Sequence, residues 1–312
     1  MIPACSDDTV EKLRDLHPER SLNLNLEKLP APESLNAFWD GEGTALRNKI
    51  FSVTKVREYF RNCQALGATD IVGWRGREHI LYLFTNNERE LHQLIIDELI
   101  FPYVMGKFLP LFLPELAGGL LFAFLKKDGG LRPLLCGSIW RRCAARLTND
   151  CTRDAAHTYF TTTYPNFMQC AGGLQDGATR CAQLFNMLHD LPTDDQDPDD
   201  PVTFINTDIK AAFQEMCRQA SFDTLTGKAT QPYDDGRVQP GDDIPTSKEL
   251  RPFLAYFNAM HSTASNNRYC DHRGHTHHVK GTTGGQQGDG LEMMRDSLSQ
   301  HPIMGGVFAR PS

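Results

Sequence analysis

The segment Val202 to Leu225, VTFINTDIKAAFQEMCRQASFDTL, narrows most what this chain can become. β-branched and aromatic residues run up to Asp208, and the chain then turns alanine-rich with helical spacing. A strand that hands over directly to a helix needs a sheet with helices packed against it. Elsewhere strand-like and helix-like stretches are mixed without regular βαβ alternation, which predicts an α+β fold rather than a doubly wound sheet. Two roles fit the carboxylate at the strand end. Asp208 caps the helix while Phe213 packs in the core, or Asp208 holds a divalent metal while Phe213 stands over the floor of the same site.

The 312 residues suffice for a sizeable core, in one large domain or two. The longest apolar stretch, Phe108 to Leu125, is broken by Pro110, Pro114, Glu115 and Gly118-Gly119, so no membrane span is expected. The N-terminus lacks a basic end followed by an apolar run, and the nine cysteines include no CxxC. Both point to an intracellular protein, nuclear or cytoplasmic and not secreted, with reduced thiols. Cys63, Cys143 and Cys181 lie in helical patterns without a paired His or acid at a readable spacing, which argues against a cysteine nucleophile. The net charge of −7 argues mildly against a nucleic-acid partner, but its distribution is uneven. Five of the eight residues Thr193 to Asp200 are aspartates, whereas Lys126 to Arg146 carries six cations against Asp128 alone. A solvated helix face is the plain reading of such a basic run.

Residues 1–115 read as a mainly helical region with a flexible start, and 116–312 as a second unit. A helix is expected from Thr54, with Thr54 as its cap, and an amphipathic one over NNERELHQLIIDELIF with apolar positions at 91, 94, 95 and 99. FLKKDGGLRPLL reads as two strands around an Asp-Gly-Gly turn, followed by a basic helix from Ser138. Further helices are expected over Gln214–Leu225 and KELRPFLAYFNAMHS, and a hairpin turning at Arg273-Gly274. Gly284 to Asp289, GGQQGD, is a glycine-rich turn opening a helix, a backbone that can approach a ligand closely and offer free N–H groups to phosphate.

Three of these stretches, in this order, resemble the reverse transcriptase family, in particular the polymerase domain of non-LTR retroelements. KKDGGLRPLLCGSIWRRCAARL is similar to its fingers segment, INTDIKAAF to the motif of the first catalytic aspartate, and GGQQGDGLE to the Gln-Gly motif before the palm helix. The resemblance spans about Phe122 to the C-terminus and implies a partial right-hand polymerase: fingers plus an incomplete palm with an antiparallel sheet. It implies Asp208 as catalytic metal ligand, the Ile209 carbonyl as a second metal contact, and Phe213 as the gate reading the sugar 2′ position. Arg132 with Lys126 or Lys127 would contact the triphosphate, and Gln287 and Gly288 would line the nucleotide and template side. The implied cofactor is Mg²⁺, the chemistry two-metal nucleotidyl transfer, and the partners an RNA template, a DNA primer and a dNTP.

The family's next motif, an aromatic followed by two aspartates, has no counterpart in LEMMRDSLSQHPIMGGVFARPS. One carboxylate does not clamp two Mg²⁺ ions, so the expectation is a truncated domain, inactive alone, with weak or no metal binding. The alternatives are a catalytically dead nucleic-acid-binding module and a degenerate retroelement remnant. CDHRGHTHH offers Cys270, His272, His275, His277 and His278 as zinc donors. Strand alternation would let His275 and His277 share a face but exclude His278, so an exposed polar hairpin is the expectation.

Overall fold

The computed structural model describes residues 2–3, 6, 8–19, 24, 37, 39–41, 43–162, 183, 186–187, 214, 216–226, 250, 252–285 and 289–308. Its main elements are β1 (Ile2–Pro3), α1 (Thr9–Leu16), α2 (Thr44–Ile50), α3 (Val53–Asn62), α4 (Arg89–Ile95), α5 (Phe101–Met105), α6 (Leu113–Ala117), β2 (Gly119–Leu125), β3 (Leu131–Cys136), α7 (Ile139–Thr162), α8 (Arg218–Thr226), α9 (Pro252–His261), β4 (Ser265–Cys270), β5 (Thr276–Gly281) and α10 (Glu292–Phe308), with short π, 3-10 and α turns between some of them. The fold is α+β. Val202–Asp208, expected to be a central strand, lies outside the described residues.

Both hairpins form where the turn chemistry places them. β2 and β3 pair antiparallel from Leu120↔Cys136 to Leu125↔Leu131. Asp128 accepts the Gly130 N–H at 3.0 Å, and Gly129 takes the left-handed φ of +80° that the turn requires. β4 and β5 pair antiparallel around Asp271, whose Oδ1 accepts the N–H groups of Arg273 (2.9 Å) and His275 (2.8 Å). The sheet as a whole is mixed rather than antiparallel, because β2 meets β4 in parallel over Gly119↔Asn267 and Leu120↔Arg268. The chain reaches β4 only after α7, α8 and α9, and such a long connection leaves the returning strand free to run either way. Among the described strands β3 is an edge, so Pro133 sits opposite Ala123 without breaking a ladder on its outer side.

One face of the sheet is closed by α1. Leu13 shares one buried apolar cluster with Leu121, Ala123, Leu131, Leu135, Tyr269 and Val279, the residues that alternation sends to that side. The larger core is helical and draws on residues from Leu24 and Trp39 through to Met294 and Leu298. Trp39, Phe51 and Phe101 meet edge to face, with ring centroids 5.3 to 6.0 Å apart. Such contacts add about 0.5–1.5 kcal/mol per pair beyond buried area. α9 runs through this core and is buried on every side: Phe253, Tyr256 and Phe257 are all at most 1% exposed.

Three helices depart from expectation in detail. α3 is capped by Ser52, whose Oγ accepts from Lys55 N, two residues earlier than Thr54. α8 starts at Arg218 rather than Gln214, with Met216 and Cys217 outside the helix. Between α4 and α5 the helix widens to a π turn over Ile96–Ile100, where Phe101 N–H reaches back to Ile96 O. Pro102 has no N–H and its ring would clash with the carbonyl four residues back, which explains the wider turn. The buried stripe is then His92, Ile96, Ile100 and Val104, while Leu94 and Leu99, expected on the apolar face, are 56% and 42% exposed. No helix among the described residues is long and apolar enough to cross a membrane.

Candidate functional site

Among the described residues, a densely hydrogen-bonded polar region lies beneath the turn Thr283–Gly285 and the start of α10. Arg141, on α7, is 2% exposed. Its guanidinium donates to Ala117 O (2.7 Å), to Tyr256 Oη (3.2 Å) and to the Asp289 carboxylate. Tyr256 donates to the same carboxylate at 2.7 Å, and the other Asp289 oxygen accepts Leu291 N–H at 2.9 Å, so Asp289 also caps the entry to α10. Burial opposes the Arg141 charge, but Tyr256 and Asp289 outweigh it and hold the group above its usual pKa. Burial, then Asp289, pushes the Tyr256 hydroxyl well up, so it stays a donor. The N-terminus of α7 is anchored separately: Asp70, itself buried, accepts Ile139 N–H at 3.3 Å as well as Val72 and Trp74 N–H.

Arg218, also 2% exposed, makes a second node. It donates to Gly284 O (2.9 Å), His261 O (2.8 Å), Thr263 O (2.9 Å) and Gly281 O (3.2 Å). Burial, then Arg295, lowers its pKa to about 10, so it remains charged at neutral pH. Arg295 pairs with Glu292 one turn back on α10, and His261 Nε2 lies 3.8 Å from the other Glu292 oxygen. Burial, then Arg295, Arg218 and Arg141, holds His261 well below the usual imidazole range and therefore neutral. Gly285 is fixed by this packing. A Cβ there would overlap the Glu292 carboxylate and the Arg295 guanidinium.

This network joins the flanks of the two motifs singled out in the sequence. Thr283 Oγ1 donates to Gln214 O at 3.0 Å, and Gly284 N–H to Met216 O at 3.1 Å. The residue that follows Phe213 therefore touches the turn that leads to Gln287. Asp208, Ile209, Phe213, Gln287 and Gly288 themselves lie outside the described residues, and so does any shared cleft with Arg132. Lys126 and Lys127 are exposed in the β2–β3 turn, and Arg132 is exposed on β3. Alternation sends Arg132 to the face opposite its buried neighbours Leu131 and Pro133. The inner face instead lines a cavity of about 10 Å³ with Gln214, Arg218 and Asn267, room for about one water and not for a nucleotide.

No protein-family model matches this sequence, and no curated protein is significantly similar to it. The polymerase resemblance rests on three short motifs and their order.

Two further groups are placed by the fold. His277 Nε2 and His275 Nδ1 lie 2.9 and 3.5 Å from Asp271 Oδ2, while His278 pairs across the strands with Arg268. The His277 contact, then the two backbone N–H donors, holds the Asp271 carboxyl far below the usual range. Among the described residues no group of three or more His, Cys, Asp or Glu side chains is arranged to hold a metal. Burial pushes the Cys63 and Cys143 thiols up, which makes them poor nucleophiles; Cys181 lies outside the described residues.

Sequence reasoning missed Arg141, Arg218 and Asp289 as one system. A signal existed. Arg218 shares the helical face of Phe222 and Leu225, and Arg141 that of Ala145, Thr148 and Thr152, all buried positions.

Proposed function

We propose that this chain is a polymerase domain of the reverse-transcriptase type that binds a primer–template and nucleotide but does not complete catalysis with these 312 residues alone. The observation that carries the reading is the contact between the two motif flanks, Gln214 and Met216 on one side and Thr283 and Gly284 on the other. In such a site the metal-holding aspartate and the template-side glutamine serve one bound nucleotide, so the segments bearing them must be neighbours although some 75 residues of chain separate them. The exposed Lys126, Lys127 and Arg132 on the β2–β3 hairpin give the phosphates a cationic partner.

The donors for Mg²⁺ are only partly present. Asp208 and the Ile209 carbonyl are hard oxygens of the kind Mg²⁺ takes, but a single carboxylate holds it weakly. Asp289 is not free to help, its side chain being 3% exposed and committed to Arg141 and Tyr256. The reading is tested in two arms. Fluorescence anisotropy should detect primer–template binding that weakens linearly in log–log form as salt rises. Primer extension with Mg²⁺ or Mn²⁺ should give no product, with Asp208→Ala as the control. Absence of binding at low salt would sink the polymerase reading. Extension that depends on Asp208 would show that the missing carboxylates come from elsewhere, such as a second copy of the chain.

A further inference from the structure

We propose that the small space between β4, the end of β5 and Arg218 is a binding site for one monovalent anion, a halide such as chloride. The proposal does not rest on the polymerase reading, and every residue that lines the site is among those described. The space measures about 10 Å³, room for one water, and a chloride ion is little larger than a water molecule. Arg218, Gln214, Ser265 and Asn267 supply its polar wall, and Leu121 and Leu135 add an apolar one. Gly281 is what leaves the room. A Cβ there would lie 2.6 Å from Ser265 Oγ and 3.3 Å from Asn267 Nδ2, so both of these groups border the space that a side chain would fill.

Two observations choose the occupant. The first is the turn of the Asn267 amide. Asn267 is 2% exposed, and its Nδ2 stands beside the space while its Oδ1 is buried without a hydrogen-bond partner. An amide left unsatisfied at its oxygen is costly, and a strong acceptor at its nitrogen offsets that cost. Ser265 Oγ–H can serve the same acceptor, since its bond to Gly281 O is long at 3.4 Å. The second observation is charge. Among the described residues, Arg141, Arg218 and Arg295 are each at most 2% exposed in this part of the interior. They stand against two buried carboxylates, Asp289 and Glu292, with His261 held neutral. Arg295 also acts on Arg218 more strongly than Glu292 does. One positive charge is thus in excess. A water in the space would fill it but carry no charge to balance it, whereas a halide does both.

The test uses the 312-residue chain, with Gly281→Ala to fill the space and Asn267→Leu to remove the amide donor. In wild type, the chloride NMR line should broaden with added protein and narrow again when excess bromide displaces chloride. The urea midpoint should be higher in sodium chloride than in sodium gluconate at equal ionic strength, and the gain should saturate. Each variant should lose about tenfold or more in chloride affinity read from that gain, the equivalent of one hydrogen bond to a charged group. Crystals soaked in bromide should show an anomalous peak beside Gly281 and Arg218. A wild-type midpoint that does not distinguish chloride from gluconate overturns the proposal. So does a chloride response kept in both variants, or a peak in the space with no anomalous signal, which would be a water. Where a variant does not fold, the wild-type line width and the bromide peak decide.

Discussion

Two groups of basic residues that look alike in the sequence have opposite duties in the fold. Lys126, Lys127 and Arg132 stand in solvent on the β2–β3 hairpin, whereas Arg141, nine residues further on, is fully enclosed and bonded to Asp289, Tyr256 and a backbone carbonyl. The hairpin residues keep their hydration and remain available to an anionic partner. Arg141 has given up water and is compensated within the protein, which makes it a structural cation. Counting charge along a segment therefore does not measure a surface. The period of the helix decides, since Arg141 lies on the inward face of α7 while Arg146 lies on the outward one.

The comparison breaks most visibly under single truncations. Arg141→Leu leaves Asp289 buried without its cation, and a loss of about 3–5 kcal/mol is expected in urea denaturation. The same change at Arg132 should stay within about 0.5 kcal/mol, because an exposed side chain loses little on replacement. Equal losses at the two positions would erase the distinction.

Acid should strike the buried side next. His301, enclosed on α10, has its pKa lowered to about 4 by burial, partly offset by a backbone contact with Tyr159, and His261 is lowered too. A histidine whose folded pKa lies below its unfolded value of about 6.5 stabilises fully above that value. As pH falls from 6.5 toward 4 the unfolded chain takes up protons that the folded chain refuses, so stability declines. For His301 alone this amounts to about 3 kcal/mol over the window, at about 1.4 kcal/mol per pH unit. Denaturant midpoints measured from pH 7 to 4 should fall, and less steeply in His301→Gln.

The smallest stability effect carries the functional contrast. Lys126→Ala and Arg132→Ala should each leave the melting temperature nearly unchanged while weakening primer–template binding and reducing its salt slope by about 1. Variants that bind as wild type would remove the hairpin from the proposed interface.

Local chemistry explains what could be read in advance. Asp-Gly-Gly at 128–130 and Asp271 to Gly274 made both hairpins legible, because a turn is specified by the few residues within it. The helices α7, α9 and α10 were legible from the helix-forming composition of their segments. The π turn before Pro102 was not, since a proline in mid-helix can end, kink or widen it, and the packing around Ile96 and Ile100 makes the choice. Of the candidate site, the sequence supplied the motifs and their order, and the described structure supplied the hydrogen bonds that bring their flanks together.

The sequence by itself determined the α+β class, the two hairpins and the presence of a glycine turn opening the last helix. Only the tertiary structure decided that β4 lies parallel to β2, that Arg141 and Arg218 turn inward, and that Gln214 meets Thr283. The physical reason is range. Turn and helix signals act over a few residues, whereas a buried guanidinium is tolerable only where acceptors from distant parts of the chain arrive together, and nothing within its own segment says that they will.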